Sequence, residues 1–114
     1  MDKFSQLLRQ KDRILEQIAQ LGPMRKGSVC EFELSSVRKD GSRKTRGPYL
    51  KYTLKKHNKT RGKHLRSRAE ADLYRRQIAR FRRFEELSAQ FAELSERLAD
   101  LEASQTEAKK NSKS

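Results

Sequence analysis

Arg38, Lys39, Arg43, Lys44 and Arg46 fall within nine residues, interleaved with Ser42 and Thr45. Flexible cationic side chains beside hydroxyls suit phosphate contacts, arginine by two-pronged hydrogen bonding and lysine as a point charge. A second set follows: Lys51, Lys55, Lys56, Lys59, Arg61, Lys63 and Arg66. Strand alternation places several of these on the solvent face of a sheet, and a two-stranded ribbon can enter a DNA major groove. A third set comprises Arg75, Arg76, Arg80, Arg82 and Arg83. At i, i+4 and i+7, Arg76, Arg80 and Arg83 share one helical face, away from Ile78 and Phe81. Tyr49 and Tyr52 lie among the second set. Tyr52 has the inward parity of Leu50 and Leu54, which leaves Tyr49 as the candidate for stacking on an unpaired base.

Other chemistry finds no constellation. Ser28, Ser35, Ser36 and Ser42 have no accompanying His–Asp set for nucleophilic catalysis. No carboxylate pair sits in an apolar context, and Gly27-Ser28 and Arg61-Gly62-Lys63 are too short to form a phosphate-binding glycine loop. Cys30 is the only cysteine, and His57 and His64 are the only histidines. One Cys and two His do not make a zinc-finger spacing. Cys30 reads as a small strand hydrophobe, and the histidines as members of the basic ribbon. The chain is therefore expected to be no enzyme, with no catalytic residue, metal, cofactor or small-molecule substrate.

Charge sharpens this. The 114 residues hold 28 Lys plus Arg against 15 Asp plus Glu, a net charge of +13. Residues 1–24 carry four basic and three acidic residues, residues 25–83 carry 20 and five, and residues 84–114 carry four and seven. So dense a cationic stretch repels itself unless an anion offsets it, which is the footprint of a polyanion binder. No stretch approaches the ~20 apolar residues of a membrane span, and the start has no secretory pattern. With one thiol, a cytoplasmic location is expected, nucleoid-associated if the polyanion is DNA. Only 33% of residues are hydrophobic and there is no Trp, so no large core can form.

These sets need elements to hold them. Phe4, Leu7, Leu8, Ile14, Leu15, Ile18 and Leu21 recur at helical spacing, with Lys11 the exception in the stripe. This predicts a helix over 2–21, stopped by Gly22 in a left-handed position and by Pro23. Residues 28–35 alternate, with Cys30, Phe32 and Leu34 on one face and Val29, Glu31 and Glu33 on the other. A polar loop over 36–47 follows, with a turn at Asp40-Gly41. A strand over 49–55, a turn at 57–59 and a weaker strand over 60–66 complete a three-strand antiparallel meander.

Ser67-Arg68-Ala69-Glu70 matches a capping box, so a second helix is expected over 68–102. Its stripe runs Leu73/Tyr74, Ile78, Phe81, Phe84, Leu87, Phe91, Leu94, Leu98 and Leu101. Phe4 to Leu21 and Phe84 to Leu101 each span 17 residue steps of heptad-like spacing. If the chain doubles back they pair as an antiparallel coiled-coil stalk, the basic first helix against the acidic second. The three-residue strides from 78 to 87 mark where that pairing stops. The expected fold is thus α+β: a two-helix stalk with a three-stranded antiparallel sheet inserted between the helices. It would be one domain over 1–102, with a basic head over 28–66 and a disordered polar tail over 103–114.

Leu21-Gly22-Pro23-Met24-Arg25-Lys26-Gly27-Ser28, then Gly47-Pro48-Tyr49, a basic hairpin and a long helix resemble a small family of uncharacterised bacterial domains often encoded beside transposases. The resemblance covers about residues 21–84 and rests on Gly-Pro-x-x-x-Gly-Ser and Gly-Pro-Tyr. In that family a cysteine-rich segment, suggestive of zinc, precedes Gly-Pro-Tyr. Here residues 35–46 hold no cysteine, so zinc does not carry over. The resemblance implies a transposition or other DNA-transaction context and no catalytic residue. The expected function is a nucleic-acid-binding accessory, DNA favoured over RNA, with the stalk for a protein partner or a second copy and no membrane role. An RNA-binding or ribosome-associated protein, or a coiled-coil adaptor, are the alternatives.

Overall fold

The computed structural model describes residues 2–111, with side chains to residue 107. Five elements follow in order: α1 (Lys3–Gln20), β1 (Ser28–Val37), β2 (Arg43–Lys56), β3 (Lys59–Leu65) and α2 (Arg68–Asn111). The strands form one antiparallel sheet in the order β1-β2-β3. The α+β class and the meander are therefore as expected, with the sheet between the helices in sequence. The chain falls into two compact units. One comprises Met1–Gly22 with Arg82–Ser114, and the other Pro23–Phe81. The physical reason is that there are two cores, which share no buried residue.

In the first unit, the Asp2 carboxylate caps α1 by accepting from the Ser5 amide at 2.7 Å. That bond holds the Asp2 carboxyl below its ordinary range. At the other end Leu21 is already extended, and its amide reaches back to the Ile18 carbonyl. Gly22 does not take the expected left-handed conformation. The residue before a proline is biased to extended backbone, so the helix ends without a glycine cap.

Leu7 and Ile14 of α1 are buried with Leu87, Leu94 and Leu98 of α2, and Phe4, Leu8, Ile18, Leu21, Phe91 and Leu101 pack around them. The contacts run in opposite chain sense. Arg83 donates to the Gln17 side-chain amide oxygen at 3.4 Å, Lys11 lies over Phe91, and Leu7 lines a groove with Leu101. Lys11, the polar exception in the stripe, is thereby explained: its ammonium sits 5.5 Å from the Phe91 ring centroid.

Helix α2 continues nine residues past its expected end at 102. The polar tail is thus helical over 103–111, and residues 112–114 lie outside the described ones. Ala, Glu, Gln and Lys are good helix formers and no Gly or Pro intervenes, so propensity extends the helix where no apolar stripe does. At its start the Glu70 amide donates to the Ser67 hydroxyl at 3.1 Å. The expected reciprocal half of the capping box is replaced by an ion pair, Glu70 carboxylate to Lys63 at 3.7 Å.

In the second unit Leu65, Ala71 and Tyr74 form the buried centre, with Val29, Leu50 and Tyr52 packed on it. Tyr52 and Tyr74 meet edge to face at 5.0 Å. Of the two faces of β1, it is that of Val29 that meets this core. Val29 pairs with Tyr52 and so shares its face, whereas Phe32 pairs with Tyr49 on the other. Cys30 and Leu34 are exposed. Leu73 is exposed too, and Tyr74 takes the core position.

The expected loop over 36–47 is instead a β-ribbon. Beyond a bulge between Phe32 and Leu34, the pairs Leu34–Arg46, Ser35–Thr45, Ser36–Lys44 and Val37–Arg43 extend the β1–β2 hairpin. Opposite Glu33 the second strand holds Gly47, at φ 127, and Pro48, joined by a cis peptide. The ribbon closes at residues 38–42. The Arg38 amide donates to the Ser42 carbonyl at 2.7 Å, and Gly41, at φ 85, donates to the Arg38 carbonyl. The Asp40 carboxylate accepts from both the Ser42 hydroxyl and amide, which hold it below its ordinary range. The second hairpin turns through His57 and Asn58, both with left-handed backbone, as a two-residue turn demands.

Gly27 enters β1 at φ 120, a conformation that side chains rarely adopt. A Cβ there would lie 2.5 Å from the Thr53 carbonyl and 2.6 Å from the Tyr52 ring. Gly27→Ala is expected to destabilise the sheet by about 2 kcal/mol or more, read as a lower urea midpoint. An unchanged midpoint would mean that this close approach is not made in solution.

Candidate nucleic-acid interface

The units differ sharply in charge. Residues 23–81 carry 18 basic and five acidic residues, net +13, whereas residues 1–22 with 82–114 carry ten of each. The whole net charge of the protein therefore resides in the sheet-containing unit.

Within that unit the cations fall into two groups. Some are engaged internally. Arg25 lies with its guanidinium 3.8 Å from the Tyr74 centroid and 5.4 Å from that of Tyr52, and its Nε donates to Gln77 at 2.6 Å. Lys26 lies 5.2 Å from the Phe81 ring, and its carbonyl accepts from the Tyr52 hydroxyl. Lys63 donates to the Tyr74 hydroxyl at 3.1 Å and pairs with Glu70. The Tyr74 bond, aided by the carboxylate of Glu70, raises the Lys63 ammonium above its ordinary range. Conversely, Lys63 and then Arg25 lower the Tyr74 phenol, despite its burial.

The helical cations are engaged to different degrees. Arg80 donates to the Pro23 carbonyl at 3.0 Å. Arg83 belongs to the other unit, where it pairs with Glu86 at 3.0 Å. Arg75 pairs with Asp72 at 3.6 Å. Of Arg76, Arg80 and Arg83, Arg76 alone is exposed without a hydrogen bond or ion pair among the described residues.

The ribbon is the opposite case. Arg38, Lys39, Arg43, Lys44 and Arg46 are all exposed, and none joins an ion pair among the described residues. Arg46 and Lys44 alternate with Thr45 and Arg43, so the ribbon presents charge on both faces. Lys55, Lys56, Lys59, Arg61 and Arg66 are likewise exposed and unpaired. They too do not share one solvent face. Lys56, Lys59 and Arg61 have the parity of Leu50 and Tyr52, whereas Lys51 and Lys55 have that of Tyr49. Lys51 is half-buried because its stem lies across Gly62, where an added Cβ would stand 2.4 Å from Cε.

Tyr49, the stacking candidate, is half-buried with its ring centroid 5.6 Å from that of Phe32, which lies 6.2 Å from His64. Sequence spacing did not bring Phe32 and His64 together with Tyr49. Their signal lies in the strand register, which places Phe32 beside Tyr49 and His64 beside Lys51, and a single strand does not reveal it.

Among the described residues no group of three His, Cys, Asp or Glu side chains is arranged to hold a metal ion. No described helix is long and apolar enough to cross a membrane. No family model, curated protein or solved structure matches the chain.

Proposed function

We propose that this protein is a nucleic-acid-binding accessory whose sheet-containing unit grips the phosphate backbone. The observation that carries this reading is the basic ribbon over 34–46: five cations on an exposed two-stranded arm, none with a carboxylate partner among the described residues. Such a ribbon has the dimensions that enter a DNA major groove. Exposed cations without counter-charges repel one another, and a polyanion relieves that repulsion. DNA is favoured over RNA by the likeness to transposase-adjacent domains, which also suggests a transposition or other DNA transaction. The charge-neutral unit is read as an antiparallel coiled-coil stalk. Its helices share a core whose contacts run in opposite chain sense, and it offers a surface for a protein partner or a second copy.

The test is a salt titration of duplex DNA binding by the full chain. Neutralising six to eight phosphates gives a slope of log affinity against log salt of about −5 to −7. A slope near zero overturns the electrostatic reading.

A further inference from the structure

Phe32, Tyr49 and His64 lie together on the sheet face that carries Lys51, opposite the face that packs on Tyr74. They line a groove of about 710 Å³ with Leu34, Arg66 and Arg68 among the other walls. The hydrophobic core does not account for this cluster, because the buried aromatic position is already filled by Tyr74 with Tyr52 against it. Leu34 is 55% exposed, and His64 is exposed as well. The groove therefore offers π faces and an aliphatic wall to something outside the unit.

The charge around it narrows what that is. No Asp or Glu lines the groove, and two arginines do. Arg68 lies 3.8 Å from Glu31, yet 70% of its side chain remains exposed. Aromatic faces rimmed by guanidinium groups suit a planar ring with an anion attached, and repel a cationic peptide. A nucleotide within a strand has that chemistry: a base to stack and a phosphate on either side.

We infer that this groove stacks one unpaired nucleobase of a DNA strand, with Arg66 and Arg68 on the adjoining phosphates. The inference rests on the nucleic-acid reading above and adds a preference to it: DNA with an extruded or unpaired base over perfect duplex. Phosphate contacts are indifferent to pairing, whereas stacking requires a base out of its own stack.

The experiment compares three probes of one sequence on the full chain: a perfect DNA duplex, the duplex with one bulged adenine, and the same bulged duplex in RNA. The bulged DNA is expected to bind about tenfold more tightly than the perfect duplex. The double variant Phe32→Leu, Tyr49→Leu should lose that advantage while keeping the affinity and salt slope for perfect duplex. Should that variant melt well below wild type, the bulged base is replaced by 2-aminopurine on the unmodified protein. Stacking then quenches its fluorescence on binding, and quenching no greater than in free bulged DNA overturns the inference. Equal affinity for bulged and perfect DNA overturns it as well, and so does a bulge preference that survives in a folded double variant or appears only in RNA. Failure of every probe to bind, perfect duplex included, removes the phosphate-binding reading itself and with it this inference. Tight, salt-sensitive duplex binding without a bulge preference removes this inference alone.

Discussion

Leu87→Ala is expected to lower stability by about 2–4 kcal/mol, because deleting the Cγ and both Cδ methyl carbons leaves a cavity as well as lost transfer energy. Leu87 is 1% exposed, the most enclosed large side chain among the described residues. It belongs to the buried cluster that α1 and α2 share. In a unit with so few apolar residues the hole cannot be filled by repacking from elsewhere. The helical circular dichroism signal should melt roughly 10–20 °C lower. Leu15→Ala, at a position 46% exposed, serves as the control and should cost well under half as much. Equal effects at the two positions would mean that α1 does not pack on α2 by this face. Charge on the sheet-containing unit is untouched, so duplex affinity measured below the melting range should stay near wild type.

Replacing Arg38, Lys39, Arg43, Lys44 and Arg46 together by Gln is expected to reverse that pattern. All five are exposed and unpaired, so the melting temperature should move little. The salt slope for duplex DNA should fall by about four to five, one for each lost phosphate contact, and affinity near 0.1 M salt should drop at least a hundredfold. Arg76→Gln, Arg80→Gln and Arg83→Gln combined should lower the slope by only about one. Arg80 is held by the Pro23 carbonyl and Arg83 by Glu86 and Gln17, so Arg76 alone is unengaged. Normal duplex binding by the five-fold variant would falsify the ribbon as the principal contact. A larger loss from the helical trio would move the interface onto α2.

The apolar stripes of both helices were legible because helical periodicity is a local property. Every buried member of the helix-pair core, from Leu7 to Leu98, lies on a stripe that spacing alone reveals. Tyr52 was legible for a similar reason, since β2 alternates cleanly. Strand β1 was not. Val29 and Phe32 are both apolar and have opposite parity, so either face could have been the inner one. Pairing decides, and a one-residue change of register exchanges the two faces. The ribbon over 34–46 was hidden for another reason. Its strands hold few apolar residues, and its order comes from backbone ladders and the Asp40–Ser42 turn, which leave no hydrophobic pattern to read.

What the amino-acid order determined alone was therefore where apolar surface and charge accumulate along the chain: two long helices, a strand-rich middle, and the concentration of positive charge in that middle. Those properties depend on residues within one or two turns or strands of each other. Tertiary structure decided which cations are free. Arg80 is spent on a carbonyl 57 positions away, and Arg25 on a glutamine 52 positions away. It also brought Phe32, Tyr49 and His64 to one groove. The physical reason is that hydrogen bonds and ring contacts act over a few ångströms of space, and sequence separation does not measure that distance once the chain has folded back on itself.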